Sequence, residues 1–491
     1  MSDQLPIFHV VGFTGHRQLR DVAGLERVLR EVLTGLKAEA GVEWLALSSA
    51  AAGSDLVFAR SALALGLGWE AVLPLPVVDF RRDFSESGWG EVEALLADAE
   101  HVRVISERGI REDAYLDGGM DTVNYSDLLL AVWDGEPSRG RGGTAEIVGY
   151  ARALQRPLII VDAKTLAVRK ENFHRLKVGD QHLTELNLLP SLNSPVPNDG
   201  DPSKRQMKAF HLKVDQAATN GAPHFRRLLS STVAFHVLAT ALAAATLTFD
   251  LRNAALPWGK LGCLLAALAL ATVVRHRRRQ HNWVRSRLAA EITRSALATW
   301  GLPRALRLFD DFDWVGLEPL RRSLDVLQRR SARAHPASFD EFRQRYIHER
   351  IDGQLEYFAS QESKTVPLLA RLRVGFVVSS FLAIAFSVAY TAQSTLGDPL
   401  VQSWMEMGVF GFGPIVLPVL AAGFISLISI NDLHRRVARY DEMRVRLETA
   451  RKEVLFVQTW GSLERVVAKA ERALLQEVFE WHSITSFSES Q

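Results

Sequence analysis

A single cysteine, Cys263, among 491 residues excludes an intrachain disulfide framework, and its apolar surroundings mark it as a packing residue. Excess charge of one sign is missing as well. With 58 basic against 56 acidic side chains the net charge is +2, which argues against a global nucleic-acid-binding surface and against long nucleic acid as a partner. No Cys/His cluster has zinc spacing, so no metal is expected. Neither G-x-G-x-x-G nor a Walker loop occurs where it is expected, which weighs against ordinary dinucleotide dehydrogenases and P-loop ATPases. The start, MSDQLPIFHV, has no basic region followed by a long apolar core, so no cleaved signal peptide is expected.

What is present falls into two halves. Up to about residue 165, short apolar runs at 8–13, 43–47, 71–75, 102–105, 128–133 and 158–161 alternate with helical patterns. This is the pattern of a parallel, Rossmann-like α/β sheet. Ligands in such sheets bind beyond the carboxyl ends of the strands, which places the loops 12–17, 48–55 and 134–146 on one rim.

The most informative stretch is SDLLLAVWDGEPSRGRGGTAEIVGYA, residues 126–151. A strand, a glycine-rich loop and a helix N-terminus in that order make an anion pocket from free backbone N–H groups and the helix dipole. The candidate ligand-binding residues are Gly12, Thr14, Gly15, Arg17, Ser48, Gly53, Asp55, Asp134, Gly142, Gly143, Thr144 and Glu146. Arg17 is read as a phosphate clamp or a plain surface arginine, and Asp55 as a helix cap or a ribose ligand. His16 fits a base or, preferably, a capped turn residue. Glu146 is a first-turn capping carboxylate, a ribose ligand or, in an enzyme, the catalytic nucleophile. The segment 79–84, DFRRDF, is read as surface structure or part of a lid.

The motifs VGFTGHR, SSAAAGSDLVFARSALALG, LPLPVVDFRRDF and SDLLLAVWDGEPSRGRGGTAEIVGYARAL resemble those of the SLOG superfamily over residues 5–165. That Rossmann-like group includes lysine-decarboxylase-like phosphoribohydrolases, DprA-like folds and nucleotide-sensing heads of bacterial conflict systems. GGTAEIVGYA also looks like nucleoside deoxyribosyltransferases. Two departures bear on activity. Ser48-Ser49 stands where many relatives carry Gly-Gly, and the full PGGxGTxxE of the enzyme branch is absent, so the resemblance implies a ligand-sensing head more than a hydrolase.

The second half begins with a polar linker, 166–205, whose stretch 189–202 is rich in Pro, Asn, Asp and Ser. Four segments, 228–249, 256–274, 374–392 and 408–430, are apolar and near the 20 or so residues that a hydrocarbon core about 30 Å thick requires. Arg226 and Arg227 precede the first, and Arg275, Arg277, Arg278, Arg279, Arg285 and Arg287 follow the second, whereas their turn holds Arg252 beside Asp250. The second pair repeats the scheme, with Arg371 and Arg373 before it, Arg435, Arg436 and Arg439 after it, and Asp398 and Glu406 between. That bias predicts two hairpins with both termini cytoplasmic. His236, the one ionisable residue deep in a span, is read as lining a pore or, preferably, as bonding a neighbouring helix.

Apolar residues Ile347, Ile351, Leu355 and Phe358, and again Leu463, Val466, Val467, Ala470, Leu474, Val478 and Trp481, follow helical spacing and predict helix-on-helix packing. YIHERIDGQLEYF before the second pair of spans, with the charged helix after it, resembles the SLATT module, a two-span effector found with nucleotide sensors. KVDQAATNGAPHFRR looks like a diverged copy of the same start. The expected organisation is a 1–165 head, a 166–205 linker, SLATT-like modules at 206–300 and 340–491, and a cytoplasmic connector at 301–339. The combined resemblance implies a multi-pass inner-membrane homo-oligomer of antiviral defence. Its head would bind a nucleotide-derived signal, with no cofactor, and its spans would permeabilise the lipid bilayer. The competing expectation is a membrane-anchored hydrolase of NAD or another N-glycosidic bond.

Overall fold

The computed structural model describes residues 3–106, 110–138, 140–176, 180–191, 200–251, 253, 255–276, 279–303, 306, 316–334, 337–396 and 406–487. Residues 192–199, Arg252, Arg277, Arg278 and Asp398, and the side chains of Arg226, Arg275 and Arg279, lie outside the described residues. The chain forms two compact units, Met1–Phe210 with Pro303–Pro336, and His211–Leu302 with Ala337–Gln491.

The first unit is built on a seven-stranded sheet: β1 (Ile7–Gly15), β2 (Val42–Ser48), β3 (Gly68–Leu73), β4 (His101–Val104), β5 (Leu128–Trp133), β6 (Leu158–Asp162) and β7 (Val168–Glu171). The strand order is β4-β3-β2-β1-β5-β6-β7, parallel throughout except for the antiparallel β7. Helices α1 (Val22–Lys37), α2 (Ser54–Ala64), α3 (Val77–Phe80), α4 (Glu86–Asp98), α5 (Arg111–Tyr125), α6 (Thr144–Ala153) and α7 (Gln181–Asn187) connect or flank the strands. Both faces are covered, which is why the strands read as continuous apolar runs. Along β5 the side chains alternate: Leu128, Leu130 and Val132 join the core under α1 and α2, whereas Leu129 packs with Ile147 and Ala151 of α6. Asp21 caps α1 by accepting from the Gly24 N–H at 2.8 Å, and Leu25, Leu29, Leu33 and Leu36 form its buried stripe.

The first unit extends beyond residue 165. β7 adds a charged edge, and Asn187 of α7 exchanges two 2.9 Å hydrogen bonds with the backbone of Leu5. Helix α8 (Pro202–Thr248) leaves for the second unit, where α9 (Ala255–His276) and α10 (Arg279–Ala298) follow. The chain then returns for α11 (Glu318–Ala334), which the sequence reading placed in the connector. α11 lies against the amino ends of the strands. Ser323 donates to the Pro6 carbonyl at 2.6 Å, Arg329 meets Glu70 at 2.6 Å, and Arg330 reaches Glu43 at 2.6 Å and Glu100 at 3.1 Å. Its strong apolar/basic patterning matches a helix whose neighbours are both core and carboxylates.

The second unit is helical: α12 (Phe339–Arg345), a π-helical segment Tyr346–Asp352, α13 (Gly353–Leu396), a second π-helical segment Met407–Phe412, α14 (Gly413–Ile430), α15 (Leu433–Phe456) and α16 (Trp460–Phe487). Among the described residues four helices, Arg227–Thr248, Ala255–Val273, Phe339–Ala392 and Met407–Phe456, contain stretches long and apolar enough to cross a membrane. Glycines set the approach of α13 and α14: a Cβ on Gly375 would lie 2.9 Å from the Phe424 ring, and one on Gly413 would lie 2.5 Å from Phe386. Ile347, Ile351 and Phe358 are buried, as are Leu463, Val467, Ala470, Leu474 and Val478, whereas Leu355 and Val466 of the same stripes are half-buried and the Trp481 side chain lies outside the described residues. His236 is exposed on its helix, and its ring makes no hydrogen bond to a neighbouring helix among the described residues.

Candidate functional site

The strand order reverses at β1, with β2 on one side and β5 on the other. In an open α/β sheet the crevice beyond the carboxyl ends at that point receives ligands. Loop 12–17 leaves β1 there and is stitched to the start of α2, because the N–H and Oγ of Ser54 both donate to the His16 carbonyl, at 3.1 and 2.9 Å. Gly53 makes this possible. Its φ is +93°, and a Cβ would stand 2.3 Å from the Arg17 carbonyl oxygen. Gly15 gives similar clearance, since a Cβ there would meet Ser54 Oγ at 2.2 Å. Thr14 is half-buried beside Ala131 at the same strand end.

His16 and Asp134 meet across the reversal point. His16 Nε2 lies 3.1 Å from Asp134 Oδ1 and 3.2 Å from the Asp134 backbone N. Burial works against ionisation of Asp134, but the Glu136 N–H and the His16 ring outweigh it and hold its carboxyl below the usual value. Asp55, in the first turn of α2, is 5% exposed. Burial pushes its carboxyl well above the usual carboxylate range, against the pull of Arg17.

Arg17 is exposed, and its guanidinium carbon stands 5.3 Å from the centre of the Tyr115 ring on α5. Tyr115 is the hub that sequence reasoning missed. Its hydroxyl donates to Asp83, and Arg111 donates to the same carboxylate. Burial, reinforced by Asp83, raises the phenol far above its ordinary value, so it stays a donor. The segment 79–84 is thereby pinned to α5 through Asp83, and Arg111 adds a 3.3 Å bond to the Asp79 carbonyl. Only the interest of DFRRDF was legible beforehand; nothing in the local pattern of α5 singles out Tyr115.

The third loop reaches the same hub. Gly142 has a φ of +73°, and a Cβ would lie 2.8 Å from the Tyr115 carbonyl carbon. Gly142 N–H donates to Glu146 Oε2 at 2.8 Å, so Glu146 ties the loop to the first turn of α6. Arg141 pairs with Asp113 of α5 at 2.7 Å. Gly143 is the N-cap residue of α6, and Thr144 is buried behind it. Two candidates point elsewhere. Ser48 is buried and accepts from the Trp69 indole at 3.0 Å, and Gly12 packs against the end of α5, where a Cβ would stand 2.8 Å from Ser126 Cβ, just past the helix, and 3.1 Å from Thr122 Cγ2.

The rim thus gathers an exposed guanidinium, a raised aspartic acid, a His–Asp pair and two helix N-termini. That is a donor-rich surface suited to a phosphate-bearing ligand. Among the described residues no group of three or more His, Cys, Asp or Glu side chains is arranged to hold a metal. A scan against protein-family models matches none of them, and no curated protein matches the sequence.

Proposed function

We propose that this protein is a membrane-embedded sensor–effector in which the α/β unit binds a nucleotide-derived signal and the membrane helices respond by permeabilising the bilayer. The observation that carries the reading is the convergence of Arg17, Asp55 and Tyr115 with the positive-φ glycines Gly53 and Gly142 at the strand-order reversal. It occurs in a chain whose described residues also include four helices long and apolar enough to cross a membrane. Bonding of Glu146 to the Gly142 N–H favours a sensing loop over a nucleophile, since the carboxylate already serves as a cap.

The spans are two hairpins in the inner membrane with both termini cytoplasmic, as the arginine bias at their outer flanks supports. Exposed His236 on a membrane helix supports assembly of several copies, because a polar ring facing hydrocarbon is costly and a partner helix or a water-lined path relieves that cost. The SLOG-like and SLATT-like motifs support a role in antiviral defence. Ligand control is a population shift, and a tenfold bias needs about 1.4 kcal/mol of differential binding.

The test uses the full chain reconstituted in dye-loaded vesicles and challenged with nucleotides, cyclic oligonucleotides and NAD-derived compounds. Thermal stabilisation with dye release and without turnover supports the proposal. Release of free base or nicotinamide that is abolished by Glu146→Gln replaces it with an N-glycosidic hydrolase.

A further inference from the structure

An open apolar groove of about 890 Å³ runs between α13 and α14, lined by Phe376, Ala383, Ile384 and Val388 on one side and Pro418 and Ala421 on the other. Its α13 lining extends from Phe376 to Ala392, about 24 Å at the helical rise, longer than the roughly 15 Å of hydrocarbon in one leaflet. Ile384 and Val388 are 64% and 62% exposed, so the groove opens sideways toward whatever surrounds the helices. Arg373 lies one turn before Phe376 on the same stripe. Its guanidinium donates to Nδ1 of His434, at the start of α15, over 2.7 Å. Exposed Arg371 and Arg435 stand on the same two segments, with Asp432 3.9 Å from Arg435 as the nearby acid.

From this continuity we infer that the groove seats one anionic phospholipid, its acyl chain between α13 and α14 and its headgroup phosphate on Arg373 and His434. The seat rests on the spans crossing a membrane and is independent of nucleotide sensing by the head. Charge decides between a lipid and a helix from a second copy. A copy that laid its own α13 or α14 in this groove in the same orientation would set its Arg371, Arg373 and Arg435 directly beside these, where like charges repel, whereas assembly through α8 at His236 leaves the groove open. A phosphate at that level gains charge-assisted bonds instead.

The experiment is native mass spectrometry of the full chain in detergent, titrated with dioleoyl-phosphatidylglycerol or dioleoyl-phosphatidylcholine. The expected result is preferential retention of phosphatidylglycerol. Arg373→Ala should weaken it about fivefold, the effect of one basic side chain worth roughly 1 kcal/mol, and Arg373→Lys should restore most of it. Ala422→Phe, which fills the groove, should weaken both lipids in a chain whose helical circular dichroism is unchanged. Equal retention of the two lipids, or full retention by Arg373→Ala, overturns the proposal. A change in oligomer mass with Ala422→Phe at undiminished lipid binding assigns the groove to a second copy and overturns it too. Loss of the chain from vesicles on an alkaline wash would overturn membrane spanning itself, which the lipid comparison in detergent does not read.

Discussion

The guanidinium of Arg17 lies over the ring of Tyr115, 5.3 Å from its centre, while the Tyr115 hydroxyl donates to Asp83. One aromatic side chain therefore orients the exposed cation of the first loop and anchors the 79–84 segment. Arg17→Ala removes the cation outright. For the nucleotide that gives the largest thermal shift, affinity measured by calorimetry should fall by roughly 10- to 100-fold, the loss of a charge-assisted bond worth about 1.5–3 kcal/mol. Tyr115→Phe keeps the ring and loses only the bond to Asp83, so its effect should be the smaller one. Equal losses in the two variants would mean that the hydroxyl, and not the stacked ring, orients Arg17.

Gly53 is held at a φ of +93° with the Arg17 backbone against its α-carbon. Gly53→Ala adds both strain and a backbone clash, so it should cost about 1–3 kcal/mol or more. The readout is a lower urea midpoint for the loss of near-ultraviolet signal, at unchanged slope. Gly90→Ala is the control. It lies in α4 with nothing within 4 Å of its Cβ position, and it should be neutral or stabilising by up to about 1 kcal/mol.

The six parallel strands were legible as short apolar runs, which in all but β4, where Val102 and Val104 are exposed, are largely buried on both faces, and the four candidate spans were legible as long ones. β7 was not, since VRKE is an edge strand carrying three charged residues and no apolar alternation. α11 was read as part of a connector, because nothing local in its sequence shows that Arg322, Arg329 and Arg330 pair with Asp127, Glu70, Glu43 and Glu100, all distant along the chain. At the site, Gly53, Asp55 and Gly142 were legible from small-residue loops after strands. Ser48 and Gly12 sat in those same loops, but their neighbours Trp69 and Ser126 are distant in sequence, so their packing roles were not.

The pairing of Glu70 with Arg329 makes the head acid-sensitive. Burial alone would raise the Glu70 carboxyl, but Arg329, with help from Arg103 and His101, lowers it below the ordinary value of 4.5. A depressed carboxylate stabilises the folded state fully above its unfolded value, and that contribution is lost as pH falls through the folded value. The Glu70 contribution to the thermal midpoint, read as the difference between the wild-type chain and Glu70→Gln, should therefore be full above about pH 5 and be lost as pH falls below 4.5, while buried Asp55, raised in the folded state, acts with the opposite sign. Glu70→Gln should lower stability near neutrality by about 1–3 kcal/mol and flatten the acid limb. An unchanged acid limb in that variant would assign the sensitivity to other carboxylates.

In the helical unit Glu471 of α16 is fully buried and receives the Arg350 guanidinium through two bonds, Nε to Oε1 at 2.8 Å and Nη2 to Oε2 at 2.6 Å, while Tyr346 Oη donates to Oε1 at 2.9 Å. Arg350 and Tyr346 both belong to the π-helical segment before α13, so one carboxylate fixes the register of that segment against α16. Removing either charge leaves the other buried alone. Glu471→Ala or Arg350→Ala should each cost about 3–5 kcal/mol, read as a fall in the thermal midpoint in detergent. The double replacement Arg350→Met with Glu471→Leu leaves no orphan charge, so its loss should be far smaller than the sum of the two alanine variants. A double variant as unstable as that sum would show that the groups act independently, and that packing rather than the ion pair fixes the π-helical register.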